Sequence, residues 1–275
     1  MIITSDRSNS HALELPDSEL RAVAASIFAS GAMPGASSRY SFLPTSQIVD
    51  AMRAEGWKPI EARQSRPRLE ARRGFQLHQV RFQRRDQAAV LNEYAPEVVL
   101  INSHDRSSGY ELRAGLFRFV CANGLLVADS LLPAVHVRHT GQELQNIIQA
   151  SFQILGQLPR IADRVADFRS VGLSESVQRQ FAEKALALRY SDLTLAPIRA
   201  EQLLQARRSE DAGNTLWATC NRVQENLLLG GMRDEYRRNR NGQPFRAMRS
   251  IRGLDTNVKI NLGIWTLAES FRQLN

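Results

Sequence analysis

The chain has 275 residues, 43% hydrophobic and 23% charged, which bounds it to one large or two small globular domains and excludes a disordered or fibrous class. Lys and Arg number 36 against 28 Asp and Glu, a net charge of +8, and all but Lys58, Lys184 and Lys259 of the basic residues are arginine. Two cysteines, Cys121 and Cys220, provide neither a disulfide framework nor metal-ligand spacing, and no apolar run approaches the ~20 residues that span a bilayer.

The first residues lack a basic stretch followed by an apolar core, so no secretory signal is expected and a reducing cytoplasm is the expected compartment. Residues 1–38 read as an N-terminal arm, with a helical patch over Glu19–Ser30 broken by the Gly- and Pro-containing "GAMPGASSR". "PTSQIVDAMRAEGW" predicts a helix capped by Thr45 or Ser46, carrying Ile48, Val49 and Met52, and stopped by Gly56, with Trp57 as an apolar anchor. The period then shortens to two. "KPIEARQSR" is extended, and "GFQLHQVRFQRR" puts Phe75, Leu77, Gln79 and Arg81 on one face and Gln76, His78, Val80 and Phe82 on the other. "PEVVLINSHD" and "SSGYELRAGLFRFVCANGLLVADS" complete four or five strands of an antiparallel meander, with Asn123-Gly124 as a two-residue hairpin turn.

From about residue 141 the pattern is helical. Leu144, Ile147, Ile148, Phe152 and Leu155 recur at helical spacing, Ser174 caps a second helix, and "NTLWATCNRVQENLLLGG" has an Asn cap and a Gly-Gly stop. The Arg-rich "MRDEYRRNRNGQPFRAMRSIRG" reads as a mobile loop before a last helix around Leu262, Trp265 and Phe271. The expected class is α+β: an antiparallel β-meander of four to five strands, preceded by a short helix and packed against C-terminal helices. The expected division is an arm at 1–38, a helix-plus-sheet nucleic-acid-binding core at 39–140, and a helical region at 141–275 with a basic loop at 233–252.

The charge is unevenly placed. Ten basic residues between Arg53 and Arg85 face three acids, a net of +7, and eight between Arg233 and Lys259 face three, a net of +5. Arginine offers a planar fork for phosphate and a face for stacking on bases, so two such blocks point to a polyanion surface. The candidate nucleic-acid-binding residues are Arg63, Arg66, Arg68, Arg72, Arg73, Arg81, Arg84 and Arg85 in the first block, and Arg237, Arg238 and Arg240 in the second.

Catalytic chemistry is thin by comparison. His136 and His139 form an H-x-x-H without an evident third ligand, and Cys121 in an apolar strand reads as a small core residue rather than a thiolate. Glu97, Asp105, Glu111 and Asp129 are scattered, and there is neither a phosphate-binding Gly-rich loop followed by Lys-Ser/Thr nor a dinucleotide fingerprint. No cofactor, no metal and no catalytic residue is therefore expected.

The segments "YSFLPTSQIVDAMRAEGWKP", "GFQLHQVRF", "PEVVLINSHDRSSGYELRAGLFRFVCANGLLV", "TLWATCNRVQENLLLGG" and "NVKINLGIWTLAES" together resemble the plasmid-, phage- and prophage-borne family catalogued as domain of unknown function 932, over roughly residues 39–270. That family brings no catalytic residues to carry over. The order of elements (a helix ending in Gly56-Trp57, a β-meander, a long helix) is also similar to the core of single-strand annealing proteins of the Rad fifty-two, Erf, RecT and Redβ types. This second resemblance implies rings or filaments that hold single-stranded DNA by its backbone in a basic groove, needing neither ATP nor metal. The reading that follows is a non-enzymatic, homo-oligomeric protein that binds and anneals single-stranded DNA (or RNA), with no membrane association. It would serve recombination or DNA establishment of a mobile element. The alternatives are a metal-dependent nuclease on the same surface and a protein-binding inhibitor of a host defence system.

Overall fold

Alternating apolar and polar residues over the first half of the chain build one antiparallel sheet. The computed structural model describes residues 14–35, 41–67, 69–84, 94–118, 124–126, 134–137 and 143–274. Its strands are β1 (Trp57–Gln64), β2 (His78–Arg84), β3 (Tyr94–Asn102), β4 (Tyr110–Arg118), β5 (Gly124–Leu126) and β6 (Val135–Val137). The order is β1-β2-β3-β4-β5, and β6 shares the far edge of β4 with β5. The chain divides into two compact units, Met1–Pro159 and Arg160–Asn275. The α+β class and the antiparallel meander expected from the sequence are both present.

Register explains what each sheet face carries. Ala62, Val80, Leu100 and Leu112 lie side by side across β1 to β4, and Phe82, Val98 and Ala114 follow in the next row. All are buried and form the apolar face. Helices α2 (Thr45–Ala54) and α3 (Glu143–Gly156) supply Ile48, Val49, Met52, Ile147, Ala150 and Ile154 to the core of this unit. The opposite face carries Glu61, Arg81, Val99 and Arg113 in one row and Arg63, Gln79, Ile101, Glu111 and His136 in the next. That face is polar, yet Glu61, Gln79, Arg81 and Glu97 on it are buried.

α2 stops where expected. Gly56 has φ +83, a left-handed position that a side chain would strain, and Trp57 turns inward at 2% exposure. Its start differs from expectation. Pro44 is the N-cap, and Thr45 is the first helical residue, its hydroxyl drawn away from the helix into hydrogen bonds with His78, His104 and Asn102.

The arm is built into the first unit. α1 (Asp17–Val23) and the 3-10 turn Ala25–Phe28 bury Leu20, Val23 and Ile27. Leu15 N donates to Pro59 O at 2.8 Å on edge strand β1, and Arg53 from α2 holds Glu14 at 2.8 Å and Asp17 at 2.7 Å. The β4–β5 turn also departs from expectation. Gly124, expected in the turn, pairs with Phe117 as the first residue of β5. Cys121 and Asn123 lie outside the described residues.

The second unit is helical: α4 (Leu158–Ser170), α5 (Glu175–Ala187), α6 (Leu216–Leu229) and α7 (Leu254–Leu274). The Ser174 hydroxyl caps α5 by accepting from Val177 N at 3.4 Å. α6 is capped by Thr215 rather than by Asn214, the Thr215 hydroxyl accepting from Ala218 N at 3.1 Å. Every residue of α6 from Leu216 to Leu228 is buried, so its polar side chains need partners. Arg222 donates to Asp211 O, Gly213 O and Gln178 Oε1, Gln224 donates to Asn261 Oδ1 at 2.6 Å, and Asn226 donates to Leu203 O and Gln205 O. Phe168 packs between Trp217 and Trp265 at 6.3 and 5.2 Å.

Candidate nucleic-acid interface

The β1–β2 connection is short of apolar residues and rich in arginine, so it stays at the surface. Its backbone is nevertheless tied down. Ser65 N donates to Leu77 O at 2.8 Å, Arg72 and Arg73 close the 3-10 turn Glu70–Arg72, and Phe75 N returns to Arg72 O at 3.1 Å. Gly74 at φ +87 turns the chain, and its N–H donates to Gln76 Oε1 at 2.7 Å. His104 N donates to Phe75 O at 2.9 Å, which fastens the connection to the segment after β3.

Arg66, Leu69, Arg72 and Arg73 are exposed on this connection, Leu69 at 61%. Arg66 has no ion-pair partner among the described residues. Arg73 pairs with Glu70 on its own turn, which raises the pKa of its guanidinium through the Glu70 hydrogen bond and charge. Arg72 stands 3.5 Å from Asp105. Burial raises the Asp105 carboxyl, but hydrogen bonds from Ser107 and Ser103 and the charge of Arg72 overcome it and leave the pKa below the ordinary carboxylate value. Arg106, next to Asp105, is exposed at φ +69 and donates to Gly35 O at 2.6 Å. Sequence reading missed Arg106. Its signal is an arginine in a Ser- and Gly-rich turn, a motif too common to single out.

Three arginines of the first block are engaged by the fold, Arg81 buried and Arg63 and Arg84 half-buried. Arg81 is 4% exposed and forms an ion pair with Glu97, so it is removed from the candidate surface. Arg63 pairs with Glu61 on the polar face of β1. Arg84 donates to Glu55 O at 2.7 Å at the end of α2 and lies over the Trp57 and Phe152 rings at 5.6 and 5.8 Å. The strand pattern places Arg81 and Arg63 on the polar face and Arg84 on the apolar one, but it does not encode the partners that engage them. Arg68 and Arg85 lie outside the described residues.

In the second unit Arg237 is structural. It donates to Ile198 O, Leu193 O and Thr194 O. Arg238 donates to Glu235 O at 2.5 Å, and Arg240, with a side chain 78% exposed, stands 3.5 Å from Asp192. Both remain at the surface. The loop expected to be mobile is hydrogen-bonded through much of its length, because its arginines and asparagines satisfy nearby carbonyls and amides.

Among the described residues no group of three His, Cys, Asp or Glu could hold a metal ion. His136 is exposed, 3.9 Å from Glu111, and His139 and Asp129 lie outside the described residues. Burial pushes the Cys220 thiol up to about 12, which leaves it protonated and inert at neutral pH. No described helix is long and apolar enough to cross a membrane.

The family model described as "Domain of unknown function (DUF932)" matches residues 34–265. Two proteins of Escherichia coli (strain K12), UPF0380 protein YfjQ and UPF0380 protein YafZ, are each 35% identical to the chain over 253 residues, covering 92% of it and 89% of the relative. No solved structure matches, and the expected likeness to strand-annealing proteins is carried by none. With the match spanning both the sheet and the helical unit, the chain belongs to the DUF932 family.

Proposed function

We propose that this protein binds single-stranded DNA through the β1–β2 connection and promotes annealing of complementary strands without ATP. The observation that carries the reading is the placement of Arg66, Arg72 and Arg73, exposed on a connection whose backbone is fixed at both ends. Exposed guanidiniums on such a backbone can hold phosphates without reading sequence. Annealing requires that division of labour, because bases must stay free to pair. Single-stranded RNA presents the same phosphates and is the alternative polymer. A homo-oligomeric ring or filament would align many such connections along one strand. Action in the recombination or establishment of a plasmid or phage follows from the resemblance to a mobile-element family, and the cytoplasm is the matching compartment.

The test mixes complementary labelled strands with the purified chain. Annealing faster than the spontaneous rate, with binding that weakens steeply as salt rises, supports the reading. Spontaneous-rate annealing with salt-independent binding overturns it. Cleavage of the strands in Mg²⁺ or Mn²⁺ would replace it with the nuclease alternative, and a pull-down partner that survives nuclease treatment would favour the inhibitor.

A further inference from the structure

Tyr236 is 84% exposed, the most of any large hydrophobic side chain among the described residues, and it stands on a loop that holds it there. Asp234 N donates to Pro197 O at 2.8 Å, and the Asp234 carboxylate takes Arg199 Nε at 2.6 Å while accepting from Tyr236 N at 2.9 Å. Gln202 Nε2 donates to Arg233 O at 3.0 Å, and Arg237, next to the tyrosine, is spent on three carbonyls. Beyond it the turn closes on Asn239, whose N–H donates to Gln243 O at 2.8 Å and whose side chain accepts from Asn241 N and Gln243 N. The backbone on both sides of the ring is therefore fixed, and the ring points to water.

Its surroundings are cationic. Arg199 and Arg233 line an open cleft with Tyr236, and their side chains are 60% and 56% exposed. Arg238 and Arg240 follow in the chain, both exposed. Residues 231–253 hold seven arginines against Asp234 and Glu235. Asp234 is buried beneath Arg199, and Glu235 stands 3.4 Å from Arg233.

We propose that Tyr236 is a stacking platform for one base of a single-stranded nucleic acid, with Arg233, which lines the same cleft, holding an adjacent phosphate. A flat ring among guanidiniums suits a nucleotide better than an acidic peptide, because a peptide offers the charges but no π-face to cover the ring. Every base has such a face, so the contact is indifferent to sequence. The inference rests on the nucleic-acid reading above but places a separate contact in the second unit.

The experiment uses the full chain and a thymidine oligonucleotide carrying 5-iodouracil, irradiated to cross-link stacked aromatics, with the cross-linked peptide identified by mass spectrometry. The expected cross-link is at Tyr236. Tyr236→Ala should weaken oligonucleotide binding about fivefold to a hundredfold, and Tyr236→Phe should retain it, since stacking needs the ring and not the hydroxyl. Cross-links confined to other residues, or Tyr236→Ala binding as tightly as the wild type, overturn the platform. The Arg66→Gln/Arg73→Gln variant separates the two ideas. If it loses affinity while Tyr236→Ala does not, the platform fails and the function stands. A wild-type chain that does not bind the oligonucleotide at low salt overturns both.

Discussion

Arg81 on β2 lies over Gly115 on β4, two strands away, and the missing side chain of the glycine makes the room. A Cβ on Gly115 would stand 3.1 Å from Arg81 Nη2 and 2.9 Å from Val99 Cγ2. The valine is β-branched and cannot rotate aside cheaply. Alanine ordinarily gains on glycine within a strand, but here the overlap outweighs that gain. Gly115→Ala should therefore destabilise the fold by about 1–3 kcal/mol. Urea unfolding checks it, and a midpoint that rises rather than falls would show that the space is not needed.

The guanidinium that fills this space neutralises Glu97, which is 1% exposed and also accepts from Gln83 Nε2 at 2.9 Å. Removing only the arginine strands a carboxylate in a poorly solvated place. Arg81→Ala should cost about 3–5 kcal/mol, whereas Arg81→Met with Glu97→Gln should recover most of that loss. A double-mutant cycle measures the coupling. The double variant should bind oligonucleotides as the wild type does, because Arg81 is buried. A large loss of binding would put Arg81 back among the phosphate contacts.

The alternation in "GFQLHQVRFQRR" located β2 and separated its faces, and Gly56 marked the end of α2, because both signals are local. Arg81 and Arg66 show where such signals stop. Each is an arginine in the same basic block, yet one is sealed in an ion pair across the sheet and the other is exposed on a connection. The difference depends on Glu97, sixteen positions further along, and on the space above Gly115, neither of which local spacing encodes. Thr45 makes the same point. Its sequence context is that of a cap, but a tertiary polar cluster takes its hydroxyl and leaves Pro44 as the N-cap. Tyr236 reads as one more polar-loop residue until the hydrogen bonds that fix its backbone are known.

If the β1–β2 connection holds phosphates, Arg66→Gln/Arg73→Gln should lower the steepness of the salt dependence as well as the affinity. Each lost phosphate contact on a single strand reduces the slope of log K against log salt by about 0.7, so the pair should reduce it by about 1.4. The melting temperature should not change, since Arg66 has no ion-pair partner among the described residues and the Arg73–Glu70 pair is at the surface. Titrations at several salt concentrations check the slope. An unchanged slope with lower affinity would mean that the arginines act through structure and not through charge.

Acid should act on the fold through His78. Its Nδ1 lies 3.1 Å from Gln76 O, which can only accept, so that nitrogen carries the proton and Nε2 accepts from the Thr45 hydroxyl at 2.8 Å. Thr45 Oγ1 then accepts from Asn102 Nδ2 and from His104 Nε2, both at 3.1 Å. A second proton on His78 would face a hydroxyl whose own proton already points at it. Burial independently lowers the His78 pKa from 6.5 to about 4. Between those values the unfolded chain takes up a proton that the folded chain refuses, so protons favour unfolding. The stability tied to His78 is whole above pH 6.5 and is lost as the pH falls toward 4, amounting in full to roughly 3 kcal/mol. Between pH 7 and pH 5 the wild type should lose about 2 kcal/mol more than His78→Gln, which has nothing to titrate at that position. Urea unfolding at the two pH values checks it. Equal losses in both proteins would mean that the folded chain takes up the His78 proton as readily as the unfolded one, so that burial does not keep it off.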